Sequence, residues 1–219
     1  MRLLILGGTG PSGIALIRKA LEVYPDGTVV AYARSPEKIP EDLQNNASVV
    51  IVKGTLEELD LVEQALEGVD VVVSALGPLT NQPTGNPIAT FYGHLIDLLY
   101  KHKITRFLPL ATASHPDPHD KTSWKYTALI AGVRTFARNA YSEIRAIGQV
   151  VTTKGKDLEY TIVRVPILTN AETEGVAAGY VGDGEIGVFL ARKAYAAFCI
   201  AEIEKKEWVK TAPLISNVA

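Results

Sequence analysis

The fold is decided by residues 3–13, which read LLILGGTGPSG. Four apolar residues, enough for a short buried strand, lead directly into three glycines at three-residue spacing, Gly7, Gly10 and Gly13. Gly7 permits a tight turn, Gly10 lets backbone approach a diphosphate, and Gly13 allows the next helix to pack closely on the strand. Pro11 suits the first turn of that helix, where its missing N–H is not needed. The stretch therefore predicts a strand, a phosphate loop and a helix whose N-terminus binds a dinucleotide.

Beyond this stretch, short β-rich runs alternate with helical patterns. The expected strands are Leu3–Leu6, Thr28–Ala33, Ser48–Val52, Asp70–Ala75, Arg106–Leu110 and Glu159–Val165, with a last one at Trp208–Thr211. Helices are expected from Pro11, from a capping box at residues 55–58, from Asn86 through Tyr100 and over Val188–Lys205. The alternation predicts a Rossmann-like α/β fold, a doubly wound parallel sheet in three α/β/α layers, as a single domain over residues 1–219.

Three stretches rich in Pro, Gly, Asn or Thr interrupt the alternation, at residues 77–87, 112–122 and 166–187. We interpret them as active-site loops, because ligands of open parallel sheets bind at the carboxyl ends of the strands. The last stretch is expected to form a small C-terminal region that covers the substrate.

Charge and composition exclude several classes of partner. The 219 residues include 22 Lys and Arg against 24 Asp and Glu, a formal net charge of -2, with no basic tract. We therefore expect a small-molecule substrate, with no nucleic acid and no membrane as partner. No apolar run approaches the roughly 18 residues of a membrane span, and the N-terminus does not resemble a signal peptide, so a cytoplasmic monomer or homodimer is expected. The single cysteine, Cys199, excludes an intrachain disulfide and a multi-thiolate metal site.

The end of the second expected strand indicates which dinucleotide binds. An NAD-selective site places a carboxylate here to hold the ribose 2′-hydroxyl, but residues 29–35 read VVAYARS. Arg34 offers bidentate contacts to a 2′-phosphate, Ser35 offers a hydroxyl, and Lys38 adds positive charge. The sequence therefore predicts NADP(H), the alternative being that Arg34 is a solvated surface side chain.

The glycine spacing, together with residues 32–38, 74–78, 111–114 and 158–166, resembles the NmrA-like, NAD(P)-binding branch of the atypical short-chain dehydrogenases/reductases, which includes the biliverdin reductase B / flavin reductase type. The resemblance spans residues 1–212. It implies that Thr55 stands where relatives place an aspartate on the adenine, and that Pro166 matches a proline beside the nicotinamide carboxamide. The expected cofactor-binding residues are Gly7, Thr9, Gly10, Pro11, Ser12, Gly13, Arg34, Ser35, Lys38, Thr55, Leu56, Leu76, Gly77, Pro78 and Pro166.

Standard members of that superfamily pair a serine with Tyr-x-x-x-Lys, whose tyrosine exchanges a proton with the substrate carbonyl. None of the nine tyrosines here has a lysine four positions later, which disfavours carbonyl reduction by that pair. The candidate catalytic residues are Ser114 after the fifth strand, His115 as a proton donor, and Tyr126 as a donor without a lysine. A turn role for Ser114 and a packing role for Tyr126 are open alternatives. His115 and His119 do not predict a metal site, because two intervening prolines prevent a helix from aligning their rings.

The resemblance and the missing tyrosine–lysine pair favour an NADPH-dependent reductase of class EC 1. Its acceptor would be flat and conjugated, such as a flavin, quinone, tetrapyrrole or enone, placed against the nicotinamide. Two alternatives are a non-catalytic nucleotide sensor that relays redox state to a protein, and a tailoring enzyme that catalyses a non-redox rearrangement. Fold analogy does not separate the three, because function lies in the site.

Overall fold

Strands and helices alternate through the computed structural model, which describes residues 1–79 and 81–218. The helices are α1 (Pro11–Val23), α2 (Glu41–Gln44), α3 (Leu59–Ala65), α4 (Pro87–His102), α5 (Trp124–Phe136), α6 (Arg138–Thr153) and α7 (Arg192–Lys205), with a 3-10 turn at Pro36–Lys38. The strands are β1 (Arg2–Leu6), β2 (Thr28–Ala33), β3 (Val49–Lys53), β4 (Val71–Ser74), β5 (Arg106–Ala111), β6 (Glu159–Tyr160), β7 (Val163–Arg164), β8 (Ile167–Thr169), β9 (Val176–Gly179), β10 (Phe189–Ala191) and β11 (Leu214–Asn217).

The main sheet has the strand order β3-β2-β1-β4-β5-β7-β11-β9, with β6 also paired to β5. Its pairs are parallel except for the β11–β9 pair, and β8 and β10 form a separate parallel pair. The order places β1 between β2 and β4, and the register sets Leu6 opposite both Tyr32 and Ser74. The fold is the predicted Rossmann-like α/β sheet, and three strands end together where the phosphate loop begins.

Helices cover both faces of this sheet, which is why its central strands are apolar on both sides. Alternate residues of β1 enter different cores. Leu3 and Ile5 pack in the core that contains residues of α1 and α7, whereas Leu4 and Leu6 pack in the core with α3, α4 and α6. All four side chains are fully buried. The phosphate loop is therefore attached to a strand whose last four residues are fully buried.

Two predicted elements are wrong near the C-terminus. The helix predicted over Val188–Lys205 begins only at Arg192, because Phe189–Ala191 form a strand that pairs with β8. The strand β8 itself lies within residues 166–187, which were predicted to form a loop. The strand predicted at Trp208–Thr211 is a turn, in which Lys210 has a left-handed φ of 60° and the Thr211 hydroxyl donates to the Trp208 carbonyl. The last strand is β11 instead.

Two further boundaries differ from the prediction. The single strand expected over Glu159–Val165 is interrupted at Thr161, whose hydroxyl accepts a hydrogen bond from Arg106 Nη1 at 2.9 Å. The capping box forms one of its two contacts, since the Thr55 N–H donates to Glu58 Oε2 at 2.7 Å, but α3 begins at Leu59 rather than at Thr55. Within the described residues, no helix combines the length and apolarity needed to cross a membrane.

Candidate functional site

The loop between β1 and α1 has the geometry of a diphosphate cradle. Gly7 has a φ of 77°, and a Cβ there would lie 3.1 Å from the Ala75 carbonyl carbon. A Cβ on Gly13 would overlap the Gly7 carbonyl oxygen, so the helix packs on the turn as the sequence predicts. The first turn of α1 has no side-chain cap, and the N–H groups of Ser12 and Gly13 have no partner within the helix. These donors and the positive end of the helix fit the diphosphate of a dinucleotide.

Positive side chains gather where β2 ends. Arg34 and Lys38 are exposed, and Ser35 is half-buried between them in the chain. The register pairs Ala33, the last residue of β2, with Lys53, which is also exposed, so a third cation lies one strand spacing from the residue that precedes Arg34. Across residues 1–79 and 81–218, none of the three cations has a carboxylate within ion-pair distance. The group can therefore accept an anion such as a phosphate.

Beside these cations, a tyrosine shapes the loop that carries Thr55 and Leu56. The Tyr32 hydroxyl donates to the Thr55 carbonyl at 2.7 Å, and its ring lies so close to Gly54 that a Cβ there would overlap the phenol oxygen. Burial, with the nearby Glu58 carboxylate, raises the pKa of Tyr32 to about 12, so the hydroxyl stays protonated. Thr55 and Leu56 are half-buried at the same end of the sheet as the cations.

Two buried tyrosines from opposite faces of the sheet fix the loop after β4. Tyr92 of α4 donates from its hydroxyl to Ser74 Oγ at 2.6 Å, and Tyr195 of α7 donates to the Ser74 carbonyl at 3.1 Å. The Leu76 N–H donates to the same Ser74 Oγ at 3.2 Å. These bonds hold Ala75 and Leu76 against Gly7. The position of the loop after β4 beside the phosphate loop therefore depends on the buried hydroxyls of Tyr92 and Tyr195.

A cleft of about 660 Å³ opens beside this loop. Its walls come from the ends of β4, β5 and β7, from α5 and α6, and from Pro166 and the start of β8. Most of its lining is apolar, and it includes Leu110, Leu129, Ile130, Val133, Val165 and Leu168. The polar side chains that reach it include Ser12, Thr112, Ser114, Tyr126 and Arg192. Such walls suit an apolar molecule held by a few polar contacts.

The three candidate catalytic residues have different surroundings. Ser114 lines the cleft and is 5% exposed, and its hydroxyl has no hydrogen-bond partner among the described residues. Tyr126 also lines the cleft, but its hydroxyl donates to the Gly187 carbonyl at 2.6 Å, and burial raises its pKa to about 12. Its proton is therefore engaged in joining α5 to the covering region. Of the three candidates, Ser114 is therefore the one whose hydroxyl a molecule bound in the cleft can reach.

His115 lies against α6 rather than in the lining of the cleft. A Cβ on Gly148 would overlap its imidazole, which shows how closely the ring and the helix backbone pack. Burial and the positive charge of Arg164 lower the pKa of His115 to about 4, so the ring is neutral at pH 7. The structure does not support the predicted role of His115 as a proton donor to a molecule in the cleft.

The loop over residues 112–122 is held by a buried ion pair that the sequence prediction missed. Arg164 is fully buried and donates to both carboxylate oxygens of Asp120, at 2.6 and 2.7 Å. The backbone N–H groups of Asp117 and Val181 also donate to Asp120. His119, the second histidine of this loop, bonds Asp117 at 2.7 Å. No group of three His, Cys, Asp or Glu side chains placed to bind a metal occurs in the described part of the chain.

The loop over residues 77–87 has its own buried anchor. Glu143 of α6 is fully buried and accepts hydrogen bonds from Gln82 Nε2 and from the Ala89 N–H, both at 2.8 Å. The second of these bonds satisfies a donor in the first turn of α4. Asn139 donates to the Gln82 carbonyl at 2.8 Å. The loop that bears Gly77 and Pro78 is thus fixed to α6 across the cleft.

The covering region contains the short strands β8 and β9, and residues 170–174 lie across α1 and α7. Arg192 Nη1 donates to Asn170 Oδ1 at 2.6 Å. Lys19 pairs with Glu174 at 2.7 Å, and Lys193 pairs with Glu172. The predicted covering segment therefore rests on the two helices of the α1–α7 face, and its start, Pro166 to Leu168, lines the cleft.

Local sequence patterns gave little indication of several of these residues. Tyr92 could have been found as a hydroxyl on the apolar face of α4, and Lys53 as a charge at the end of an apolar strand. Glu143 and Arg164 depend on partners 54 and 44 residues away, for which no local pattern exists.

Comparisons with known proteins agree with this geometry. A model of a family of NAD(P)H-binding proteins matches residues 7–206. Comparison with curated proteins finds no match. Similar solved structures include a short-chain dehydrogenase/reductase from Veillonella parvula in complex with NADP, with 18% identity, a TM-score of 0.77, and 99% of this chain and 94% of that chain covered.

Two other solved structures have the same architecture. An oxidoreductase from Lactococcus lactis has 19% identity and a TM-score of 0.75, with 99% of this chain and 91% of that chain covered. A candidate NAD-dependent epimerase/dehydratase from Bacillus halodurans has 23% identity and a TM-score of 0.75, with 99% and 94% covered. Because identities this low are shared by proteins of different activity, the likeness establishes the fold and leaves the reaction to be argued from the site.

Proposed function

The chain belongs to the family of NAD(P)H-binding proteins, and on that premise we propose that it is an NADPH-dependent reductase of a flat, conjugated acceptor. The observation that carries the proposal is the apolar cleft, which shares Ser12 with the phosphate loop and Gly77 and Pro78 with the loop after β4. A molecule in this cleft lies beside the part of the site that holds the nicotinamide end of a dinucleotide.

The preference for NADPH over NADH rests on the cations at the end of β2. Arg34, Lys38 and Lys53 are exposed near the end of β2, and this is where we expect the 2′-phosphate to bind. Glu37, in the same 3-10 turn as Lys38, is also exposed and adds one negative charge near these cations. Arg34 offers a planar pair of donors that matches phosphate, whereas Lys38 and Lys53 add charge without fixed geometry.

The protein contributes position, exclusion of water and one hydrogen bond. The nicotinamide, when bound, supplies a hydride to the acceptor. Ser12 and Thr112 also bring hydroxyls to the cleft, but we assign the donor role to Ser114, because Ser12 belongs to the phosphate loop and the Thr112 hydroxyl already accepts the Ser114 N–H. Tyr126, with a pKa raised to about 12, is a poor acid at pH 7. Negative charge that develops on the acceptor must therefore be delocalised over the acceptor itself, which favours conjugated molecules over simple carbonyls.

A turnover assay tests the proposal. Wild-type protein with NADPH and a panel of flavins, quinones and enones should cause loss of nicotinamide absorbance with at least one acceptor. Ser114→Ala should lower kcat roughly tenfold or more with that acceptor, as expected for the loss of one positioned donor, and leave NADPH affinity unchanged. Thr127→Val is a matched control, because Thr127 is an exposed hydroxyl that bonds the Ser123 carbonyl. Absence of turnover across the panel, with NADPH bound, would overturn the reductase proposal.

A further inference from the structure

A second groove, of about 390 Å³, runs between α1 and α7 under residues 170–174 of the covering region. Arg192, the first residue of α7, lines this groove together with Pro11, and it lines the substrate cleft together with Ser12. Its half-buried side chain therefore lies at the junction of the two spaces, beside the first turn of α1. That turn is where a dinucleotide diphosphate binds.

Arg192 differs from the other cations of the groove in its partner. Lys19 meets Glu22 and Glu174, Lys193 meets Glu172, and Arg18 meets Asp42 through both carboxylate oxygens. Within residues 1–79 and 81–218, Arg192 has no carboxylate partner, and its one hydrogen bond goes to the neutral oxygen of Asn170 at 2.6 Å. A guanidinium has five donors, so most of its hydrogen-bonding capacity and all of its charge are available to an anion.

The first turn of α1 lacks one of the backbone N–H groups that could bind an anion. Pro11 is its first residue and has no N–H, so the turn offers a diphosphate the N–H groups of Ser12 and Gly13 but none from residue 11. A diphosphate bridge carries two negative charges, and a cation beside it strengthens binding more than a neutral donor does. Arg192 supplies such a cation from another element of the fold.

We propose that Arg192 binds the diphosphate of the cofactor, with Asn170 orienting the guanidinium. The proposal rests on the nucleotide binding stated under the proposed function and adds a residue about 180 positions from the phosphate loop. The same guanidinium also faces the substrate cleft, so an anionic group on the acceptor is the other source of the anion it binds. Because the diphosphate is common to NADPH and NADH, Arg192 strengthens the binding of both nucleotides without distinguishing between them.

Fluorescence titrations of NADPH and NADH separate this role from that of Arg34. Arg192→Ala should weaken both nucleotides by the same factor, roughly tenfold to a hundredfold, as expected for loss of a charge-assisted hydrogen bond. Arg34→Ala should weaken NADPH and leave NADH unchanged. Arg18→Ala is the matched control, because it removes an arginine from the same groove that already has a carboxylate partner, and it should leave both affinities unchanged. Arg192→Lys should recover part of the loss.

A fragment titration locates the anion. Arg192→Ala should weaken 2′-phospho-ADP-ribose, which contains the diphosphate, and should not change adenosine 2′-monophosphate, which lacks it. Thermal unfolding of each variant shows whether it is folded. If folded Arg192→Ala binds both nucleotides as the wild type does, the proposal is wrong, and a rise only in the KM of anionic acceptors would assign the residue to the acceptor instead. If the wild type binds neither nucleotide, the proposed function fails together with this inference.

Discussion

Replacement of Asp120 with alanine should destabilise the protein strongly, because the Arg164 guanidinium would stay buried without its carboxylate. The side chain of Arg164 is 0% exposed and that of Asp120 is 17% exposed, and two hydrogen bonds join them. Removal of one partner of a buried ion pair costs about 3–5 kcal/mol. Asp120 keeps some contact with solvent, and the His115 carbonyl still accepts from Arg164 Nη1. We therefore expect the lower end of that range, about 3 kcal/mol.

Chemical and thermal unfolding at pH 7 measure this effect. A loss of about 3 kcal/mol lowers the midpoint of thermal unfolding by roughly 6–12 °C for a chain of this size. Asp42→Ala is the control, because Asp42 makes the same bidentate contact with Arg18, but the two side chains are 58% and 51% exposed. Solvent screens such a pair, so its loss should change little. Equal losses in the two variants would refute the reasoning from burial.

The same pair predicts a pH dependence. Burial opposes ionisation of Asp120, but hydrogen bonds from Arg164 and from the Asp117 and Val181 backbone outweigh it, and the pKa of the carboxyl lies below its usual value. A carboxyl with a lowered folded-state pKa stabilises the fold above its unfolded pKa of about 3.9, and this stabilisation is lost as the pH falls through the lowered value. The stability difference between wild type and Asp120→Ala should therefore shrink as the pH falls below about 4.

Tyr92→Phe should lower the free energy of unfolding by about 1 kcal/mol, because the buried hydroxyl no longer donates to Ser74; urea denaturation measures this, and an unchanged midpoint would count against a role for the bond. Lys53→Ala should weaken NADPH roughly twofold to fivefold, as for an exposed cation, and leave NADH unchanged in a fluorescence titration; an equal loss for both nucleotides would contradict its placement at the 2′-phosphate. Burial and Arg164 lower the pKa of His115 to about 4. The neutral ring therefore contributes its full stabilisation above the unfolded pKa of about 6.5, and this contribution is lost as the pH falls towards about 4. His115→Asn should flatten that slope in denaturation midpoints between pH 4 and 7, and an unchanged slope would assign it to other groups.

The phosphate loop could be predicted from sequence because its requirements are local. Gly7 must adopt a positive φ and Gly13 must leave room for the Gly7 carbonyl, and both demands appear as glycines at fixed spacing. The strand Thr28–Ala33 was predicted with its correct bounds for the same reason, since its apolar residues are contiguous. Features whose conformation is set by adjacent residues can therefore be predicted from the sequence.

The wrong predictions concern residues whose conformation is set by distant partners. Phe189–Ala191 continue a helical pattern, but a parallel partner, β8, satisfies their backbone groups and extends them. The chain at Trp208 is turned by Glu202, whose Oε1 accepts the Trp208 N–H at 2.9 Å. His115 lies next to Ser114 in the chain, yet its ring packs on Gly148. In each case a tertiary contact overrides the local preference.

The segments around the cleft and the α1–α7 groove are held by two kinds of contact that differ in free energy. The loops after β4 and β5 are fixed by Glu143 and Asp120, carboxylates whose removal leaves buried donors or a buried charge unpaired. Residues 170–174 of the covering region are fixed by the Arg192–Asn170 hydrogen bond and by two carboxylates that stay about half or more exposed, Glu172 and Glu174. Exposed ion pairs contribute little in water. Separation of residues 170–174 from α1 and α7 therefore costs less free energy than movement of the loop that holds Ser114. Movement of residues 170–174, which line the α1–α7 groove, would therefore leave Ser114 and the glycine loop in place.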